Sequence, residues 1–291
     1  MPAIKIITDS CSDLPEDIRQ KYDIRMLPTP VQIEEQKYFD RDTISTAEFY
    51  QKLRAGYMPK TSQITPATFE EAYREELEKG YKVLTICFSG GLSGIYQSAV
   101  LAAQNIASKD IKVIDSRCCT IGLSLVLEEV AQAIAEDKDL SEAVDLLLNR
   151  CSYMEHIFSV GSIEMLKKGG RISGGKALLA NILNIKPILH FEDGEIVAFA
   201  KARGEKRMLA TLIEEMRKRG ADLSSQKIGL AHSASPELAQ KMQHKIKEEF
   251  GVEEFLIGEL GAAIGSHVGI GTIAVFFQGS EQVNKPKVAE L

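Results

Sequence analysis

The stretch KVLTICFSGGLSGIYQSAVLAAQNIASKDIKVID, residues 82–115, decides the fold. It begins with an apolar run from Lys82 to Phe88, of the kind that is buried on both faces of a parallel sheet. A glycine-rich turn follows, then a helix through about Ala107, then a second strand from Ile111 to Asp115. Strand, crossover helix and strand make the repeating unit of a parallel sheet, so residues 1–155 are expected to form an α/β domain.

Toward the N-terminus, Ile4 to Asp9 reads as a strand, Ser12 to Tyr22 as a helix opening at Leu14-Pro15, and Met26 to Ile33 as a second extended segment. Ser45 and Glu48 have capping-box spacing and predict a short amphipathic helix carrying Phe49 and Leu53 and ending near Gly56. Thr65-Pro66 opens another helix, in which Phe69, Tyr73 and Leu77 recur every four residues before Gly80 stops it. Beyond the central stretch, Ile121 to Glu136 and Ser141 to Tyr153 read as helices. From Ile157 the rhythm changes: Lys186 to Phe191 and Glu195 to Ala202 are extended segments meeting at Asp193-Gly194, a strong hairpin signal. Helices Glu205 to Arg219 and Pro236 to Phe250 then interleave with strands Lys227 to Ala231, Glu254 to Glu259 and Thr272 to Phe277. The expected whole is an α/β protein of two domains: an N-terminal α/β domain with a mostly parallel sheet, then an α+β domain over residues 156–279 with a mixed, largely antiparallel sheet. Residues 280–291 are polar, without apolar period, and are expected to form a flexible tail.

Bulk properties exclude several function classes. With 44% hydrophobic and 26% charged residues in a 291-residue chain, there is ample material for more than one core. The formal charge is -6 and the basic residues are scattered, so nucleic acid is not an expected partner. No apolar run approaches the roughly 20 residues that span a bilayer, and Met1 to Ser10 lacks the charged-then-apolar pattern of a secretory signal; the cytoplasm is the expected location. The five cysteines form no CxxC pair, which argues against a disulfide framework or a structural zinc site. Cys118 and Cys119 are adjacent, but neighbours in an extended segment face opposite ways and are expected to be buried thiols. No metal or cofactor is implied.

A few motifs could carry chemistry. Ser89-Gly90-Gly91-Leu92-Ser93-Gly94 lies between a strand and a helix, where free N–H groups and the positive helix end favour an anion; a tight turn using glycine for geometry alone accounts for it equally. It lacks the lysine of a Walker loop and the spacing of a dinucleotide turn, so a nucleotide is not the expected anion. Thr61-Ser62-Gln63 places hydroxyls on the loop before a helix start, where they serve as donors to a carboxylate or phosphoryl oxygen, or simply as caps. His267 lies in Gly261-Ala-Ala-Ile-Gly-Ser-His-Val-Gly-Ile-Gly271, which reads as a flexible connection between two strands; an imidazole there is a fit partner for a carboxylate. His156, His190, His232 and His244 need no more than core or surface roles. Lys167 and Lys168 suit the negative end of the short helix opened by Ser162, whereas that end does not call for Arg171 after two glycines. Arg203, with Lys201, Lys206 and Arg207, forms either a solvated face or a docking patch for an acidic or phosphate-handling partner.

Taken in order, these segments resemble the DegV-like family, whose members include the fatty-acid-binding subunits of bacterial fatty acid kinase. The resemblance rests on Thr8-Asp9-Ser10 with Asp13-Leu14-Pro15, Thr61-Ser62-Gln63, the Ser-Gly-Gly-Leu-Ser-Gly turn with Tyr96-Gln97-Ser98-Ala99, and Asp115-Ser116. It continues through Gly169-Gly170-Arg171-Ile172, Lys186-Pro187-Ile188-Leu189 with Asp193-Gly194, and Gly265-Ser-His-Val-Gly269, and so spans most of the chain. This sequence departs from the family at Gly90, Ile95 and Ile270, where Ser, Thr and Pro are common.

The resemblance implies a long-chain fatty acid held in a tunnel between two domains, its carboxylate against Thr61, Ser93 and His267, with Ser62 and Gly94 alongside. It implies a carrier without catalysis of its own, presenting the acyl group to the ATP-using catalytic subunit of a fatty acid kinase, with Arg171 and Arg203 facing that partner or the developing phosphate. Transient contact with a membrane surface is compatible with such a role. The competing reading is an acyl or phosphoryl hydrolase or transferase with Ser93 as nucleophile and His267 as base, although Ser93 lacks the G-x-S-x-G elbow and no acid partner for His267 is evident.

Overall fold

The computed structural model describes residues 3–172 and 185–291. Its first half holds β1 (Ile4–Asp9), α1 (Glu16–Lys21), β2 (Arg25–Leu27), β3 (Pro30–Ile33), β4 (Gln36–Phe39), α2 (Thr46–Arg54), β5 (Lys60–Thr61), α3 (Pro66–Glu78), β6 (Lys82–Cys87), α4 (Ile95–Ile106), β7 (Ile111–Asp115), α5 (Thr120–Ala135) and α6 (Leu140–Ser152). The second holds β8 (Met154–Ser159), α7 (Ile163–Lys168), β9 (Ile185–Glu192), β10 (Glu195–Arg203), α8 (Gly204–Arg219), β11 (Ile228–His232), α9 (Pro236–Phe250), β12 (Phe255–Glu259), α10 (Ala262–Val268), β13 (Ile273–Gln278) and β14 (Lys287–Val288).

The central stretch forms the unit read from it: β6 and β7 pair in parallel, and β1 joins β6 in parallel on the other side. The first sheet runs β14-β7-β6-β1-β2 and the second β10-β9-β8-β13-β11-β12, antiparallel except for β11 beside β12. A small antiparallel sheet, β4-β3-β5, carries Thr61 at its edge. The α/β class and the change of rhythm near Ile157 are therefore as expected. Asp193 and Gly194 turn the β9–β10 hairpin with φ of 48° and 77°, the left-handed pair that a two-residue turn of this type demands.

Helix α5 explains how the two larger sheets come together. Its residues are buried almost all round, the pattern of a helix packed on several sides. One core runs from Ile6, Leu84 and Ile114 of the first sheet through α5 to Phe158, Leu189 and Phe276 of the second.

The structure departs from the sequence reading in places with physical causes. The helix expected over Ser12 to Tyr22 starts only at Glu16, because Asp9 caps a single turn at Ser10–Ser12, Asp13 adopts a φ of 52° and Pro15 has no N–H to give. Met26 to Ile33 splits into β2 and β3 in different sheets, since Pro28 and Pro30 interrupt a ladder. The segment 280–291, expected as a loose tail, docks: β14 pairs with β7, and the buried Asn284 donates to Cys151 O and Met154 O and accepts from Gly194 N.

Candidate functional site

A cavity enclosing about 910 Å³, mouth included, is lined from both larger sheets. Phe88 and Leu92 contribute from one side and Phe158, Phe191 and Phe276 from the other, with Leu166 of α7 beside them. Thr61, Ser62, Ser93, Gly94, Arg171 and His267 also line it, so all the residues expected around a carboxylate fall in one cavity. Arg203 is not among them; it stands exposed at the end of β10.

His267 is placed by a device that sequence reasoning missed. The segment read as a flexible loop contains α10, whose Gly265 lets it press closely against its neighbours: a Cβ there would lie 2.6 Å from Phe49 Cε1. Two buried carboxylates hold its N-terminus. Asp13 accepts from Gly261 N at 2.8 Å and Asp40 from Ala262 N at 2.7 Å, each beside the positive end of the helix. Arg41 donates to Asp13 and to Glu259 O, and Tyr50 donates to Leu260 O. Burial pushes the Asp13 carboxyl up to about 6 despite Arg41, and raises Asp40 as well. Nothing in local sequence pairs residues 13 and 40 with 261 and 262; the signal was Asp13 standing in an acidic, proline-terminated turn with no visible partner.

At the other end of α10, His267 Nε2 lies 2.8 Å from Thr61 Oγ1, while among the described residues Nδ1 has no partner. Burial and then the Arg171 guanidinium push the imidazole down to about 4, so it is neutral near pH 7. Gly169 closes over it: a Cβ there would lie 2.3 Å from Nδ1. Arg171 donates to Leu92 O at 3.2 Å and to Gly169 O, tying the end of α7 to the glycine-rich loop.

That loop is less of an anion cradle than its sequence suggested. Gly90 N donates to Asp115, Gly91 N to Ser89 Oγ, and Leu92 N and Ser93 N to Ser89 O, so these amides are used within the loop. Gly91 is required for close approach, since a Cβ would lie 2.8 Å from the Gly194 carbonyl, and Ser89 Oγ donates to that same oxygen. Ser93, whose Oγ accepts from Ile95 N at 3.3 Å, and Gly94 at the N-cap of α4 remain directed to the cavity. Gln63 fits over Gly94, where a Cβ would collide with its Oε1, and donates to Ser98.

Of the adjacent thiols, Cys118 is buried in the core and Cys119 lines the cavity, as opposed faces require. Burial pushes both up, which keeps them as thiols. Among the described residues, no group of three or more His, Cys, Asp or Glu is arranged to hold a metal ion, and no helix is long and apolar enough to cross a membrane.

Fold and site define an α/β protein whose two larger sheets share one apolar cavity with a polar end. The chain belongs to the DegV family: the family described as "Uncharacterised protein, DegV family" matches residues 3–280. A DegV domain-containing protein of Clostridium perfringens is 38% identical over 286 residues, covering 96% of this chain and 98% of the relative. A Thermus thermophilus DegV family protein, described for its fatty acid binding, superposes with a TM-score of 0.86 at 33% identity, covering 95% of this chain and 99% of that one. A Ruminococcus gnavus protein of the family, solved with vaccenic acid, gives a TM-score of 0.84 at 26% identity, covering 94% and 99%.

Proposed function

We propose that this protein binds one long-chain fatty acid in the cavity, its carboxylate against Thr61, Ser93 and His267 with Ser62 and Gly94 alongside. The observation that carries this reading is the Thr61–His267 pair, with one ring nitrogen unpartnered among the described residues, at the polar end of a mostly apolar cavity. A carboxylate taken into an apolar site must be hydrogen-bonded, and hydroxyls with a neutral imidazole supply donors without burying a counter-charge. The tail supplies affinity: at about 0.8 kcal/mol per methylene, ten buried groups give on the order of 8 kcal/mol before binding costs. The fatty acid binding described for the Thermus thermophilus relative and the vaccenic acid of the Ruminococcus gnavus relative support the same ligand class.

In this reading the protein is a cytoplasmic carrier that performs no chemistry itself and takes no cofactor. It presents the carboxylate to a separate ATP-dependent kinase, which forms the acyl-phosphate, and it exchanges its acid at a membrane surface in transient contacts. Arg171 at the cavity wall and the exposed Arg203 are the cations offered to that partner. The hydrolase reading fits less well, because His267 Nε2 is engaged by Thr61 and, among the described residues, no carboxylate orients its Nδ1.

Mass spectrometry of solvent-extracted small molecules tests this. Wild-type protein should carry a stoichiometric long-chain acid, and His267→Ala and Thr61→Ala should carry much less while remaining folded. Equal lipid content in all three would remove these residues from the carboxylate site, and no lipid in any would sink the carrier reading.

A further inference from the structure

Among the hydroxyls that line the cavity, one stands out. Thr120 lines the cavity, is 3% exposed, and among the described residues its Oγ1 has no oxygen or nitrogen hydrogen-bond partner. The other buried or half-buried hydroxyls of the lining are engaged: Thr29 with Cys11, Thr61 with His267, Ser93 with Ile95 N, and Thr272 with Gly161 N and the carbonyls of Val268 and Gly269. Four residues along the same helix, Ser124 donates to Ser12 O. The Cys119 thiol lies within hydrogen-bonding reach of the Thr120 side chain, but sulfur is a weak partner and leaves the hydroxyl free for a stronger one.

Its backbone makes the choice of residue less accidental. Thr120 has a φ of 47°, a region in which a β-branched residue is a genuine outlier. Glycine or asparagine would sit there at lower cost, and valine would fill the same volume without a polar atom. Thr120 is also the first residue of the sixteen-residue α5, whose opening N–H groups have no intrahelical acceptor. Two residues on, Gly122 is held against His156 and Phe276, where a Cβ would lie 2.8 Å from Nε2 and from Cδ1, so the first turn of α5 packs closely on the aromatic side.

A plain hydrocarbon tail lying across this point covers the hydroxyl and gives it nothing to bond. We infer that Thr120 forms a polar subsite within the acyl cavity, and that the preferred occupant is a long-chain acid carrying a hydroxyl or keto oxygen along its chain. This deepens the fatty acid reading and rests on it.

The test is competitive equilibrium binding to lipid-stripped full-length protein, comparing octadecanoic acid with the positional isomers of hydroxyoctadecanoic acid. At least one isomer should bind wild type about tenfold more tightly than the unsubstituted acid, the scale of one additional hydrogen bond. Thr120→Val should abolish the preference and Thr120→Ser should keep it; Thr120→Ala replaces the valine variant if that fails to fold. No preferred isomer, or a preference that survives loss of the hydroxyl, overturns the subsite while leaving the carrier reading intact. A Thr120-dependent preference for a cis-octadecenoic acid over every hydroxylated isomer also overturns it, assigning the hydroxyl to a double bond. Failure of octadecanoic acid itself to bind wild type removes the fatty acid reading and the subsite with it.

Discussion

His267 lines the cavity and His156 lies behind its aromatic residues, and burial deprives both of their charge. His156 stands behind the aromatic side, stacked on Phe191 with ring centroids 4.4 Å apart and edge-on to Phe276. Its Nε2 accepts from Cys119 N at 3.1 Å, which leaves Nδ1 to donate to Met154 O at 3.0 Å, and burial pushes it down to about 3. His267 stands at the polar end with one nitrogen against Thr61 and the other unpartnered among the described residues. The two differ in how their polar atoms are used. A closed set of partners fixes a shape; an open one leaves a bond for something that arrives later.

The largest effect should come from the closed set. His156→Ala removes the acceptor of a buried N–H and the stacking partner of Phe191, and should cost about 3 kcal/mol in urea unfolding of the stripped protein. The folded fraction should still take up lipid. Lost lipid with unchanged stability would reverse the roles assigned to the two histidines. The open set is best probed through its neighbour. Gly169 has φ and ψ of -69° and -17°, ordinary helical values that alanine adopts freely, yet its Cβ would lie 2.3 Å from His267 Nδ1. Gly169→Ala should therefore displace the imidazole and lower lipid affinity about tenfold, with stability unchanged within about 0.5 kcal/mol. Undiminished affinity would mean that Nδ1 does not serve the ligand.

Much of this was legible in the sequence wherever the cause is local. The parallel unit at 82–115, the capping box at Ser45 and Glu48 and the Asp193-Gly194 turn all formed as their residues dictate. The cavity residues Thr61, Ser93, Gly94, Arg171 and His267 were named from an ordered set of motifs, and they converge. What escaped depends on distant partners. A run of glycine and alanine looks like a loop until Phe49 and Tyr50 press against it and Asp13 and Asp40 cap it, making α10. A polar tail looks loose until β7 offers an edge and Asn284 reaches three buried backbone groups. The anion-cradle reading of Ser89 to Gly94 failed in part for the same reason, since Asp115 and Ser89 already take those amides.

The remaining prediction is the most direct measure of the open imidazole. In the stripped protein, His267 is pushed down to about 4 from the ordinary 6.5, so the unfolded chain takes up its proton first as pH falls. The destabilising contribution is absent above about 6.5, grows as pH falls toward about 4, and is complete below that. Its slope is bounded by about 1.4 kcal/mol per pH unit, and His267→Gln lacks it. Asp9 and Asp13, pushed up to about 6, act in the opposite sense over an overlapping window, because their folded forms hold protons that the unfolded chain has released. Both carboxyls and His156 are common to the two proteins and cancel in the difference. Urea unfolding at a series of pH values should therefore show wild type losing stability relative to His267→Gln between about 6.5 and 4. Parallel profiles would mean that the vacant nitrogen is solvated well enough to hold a charge, and that the imidazole at the polar end is no more reserved for a ligand than the one behind the aromatic wall.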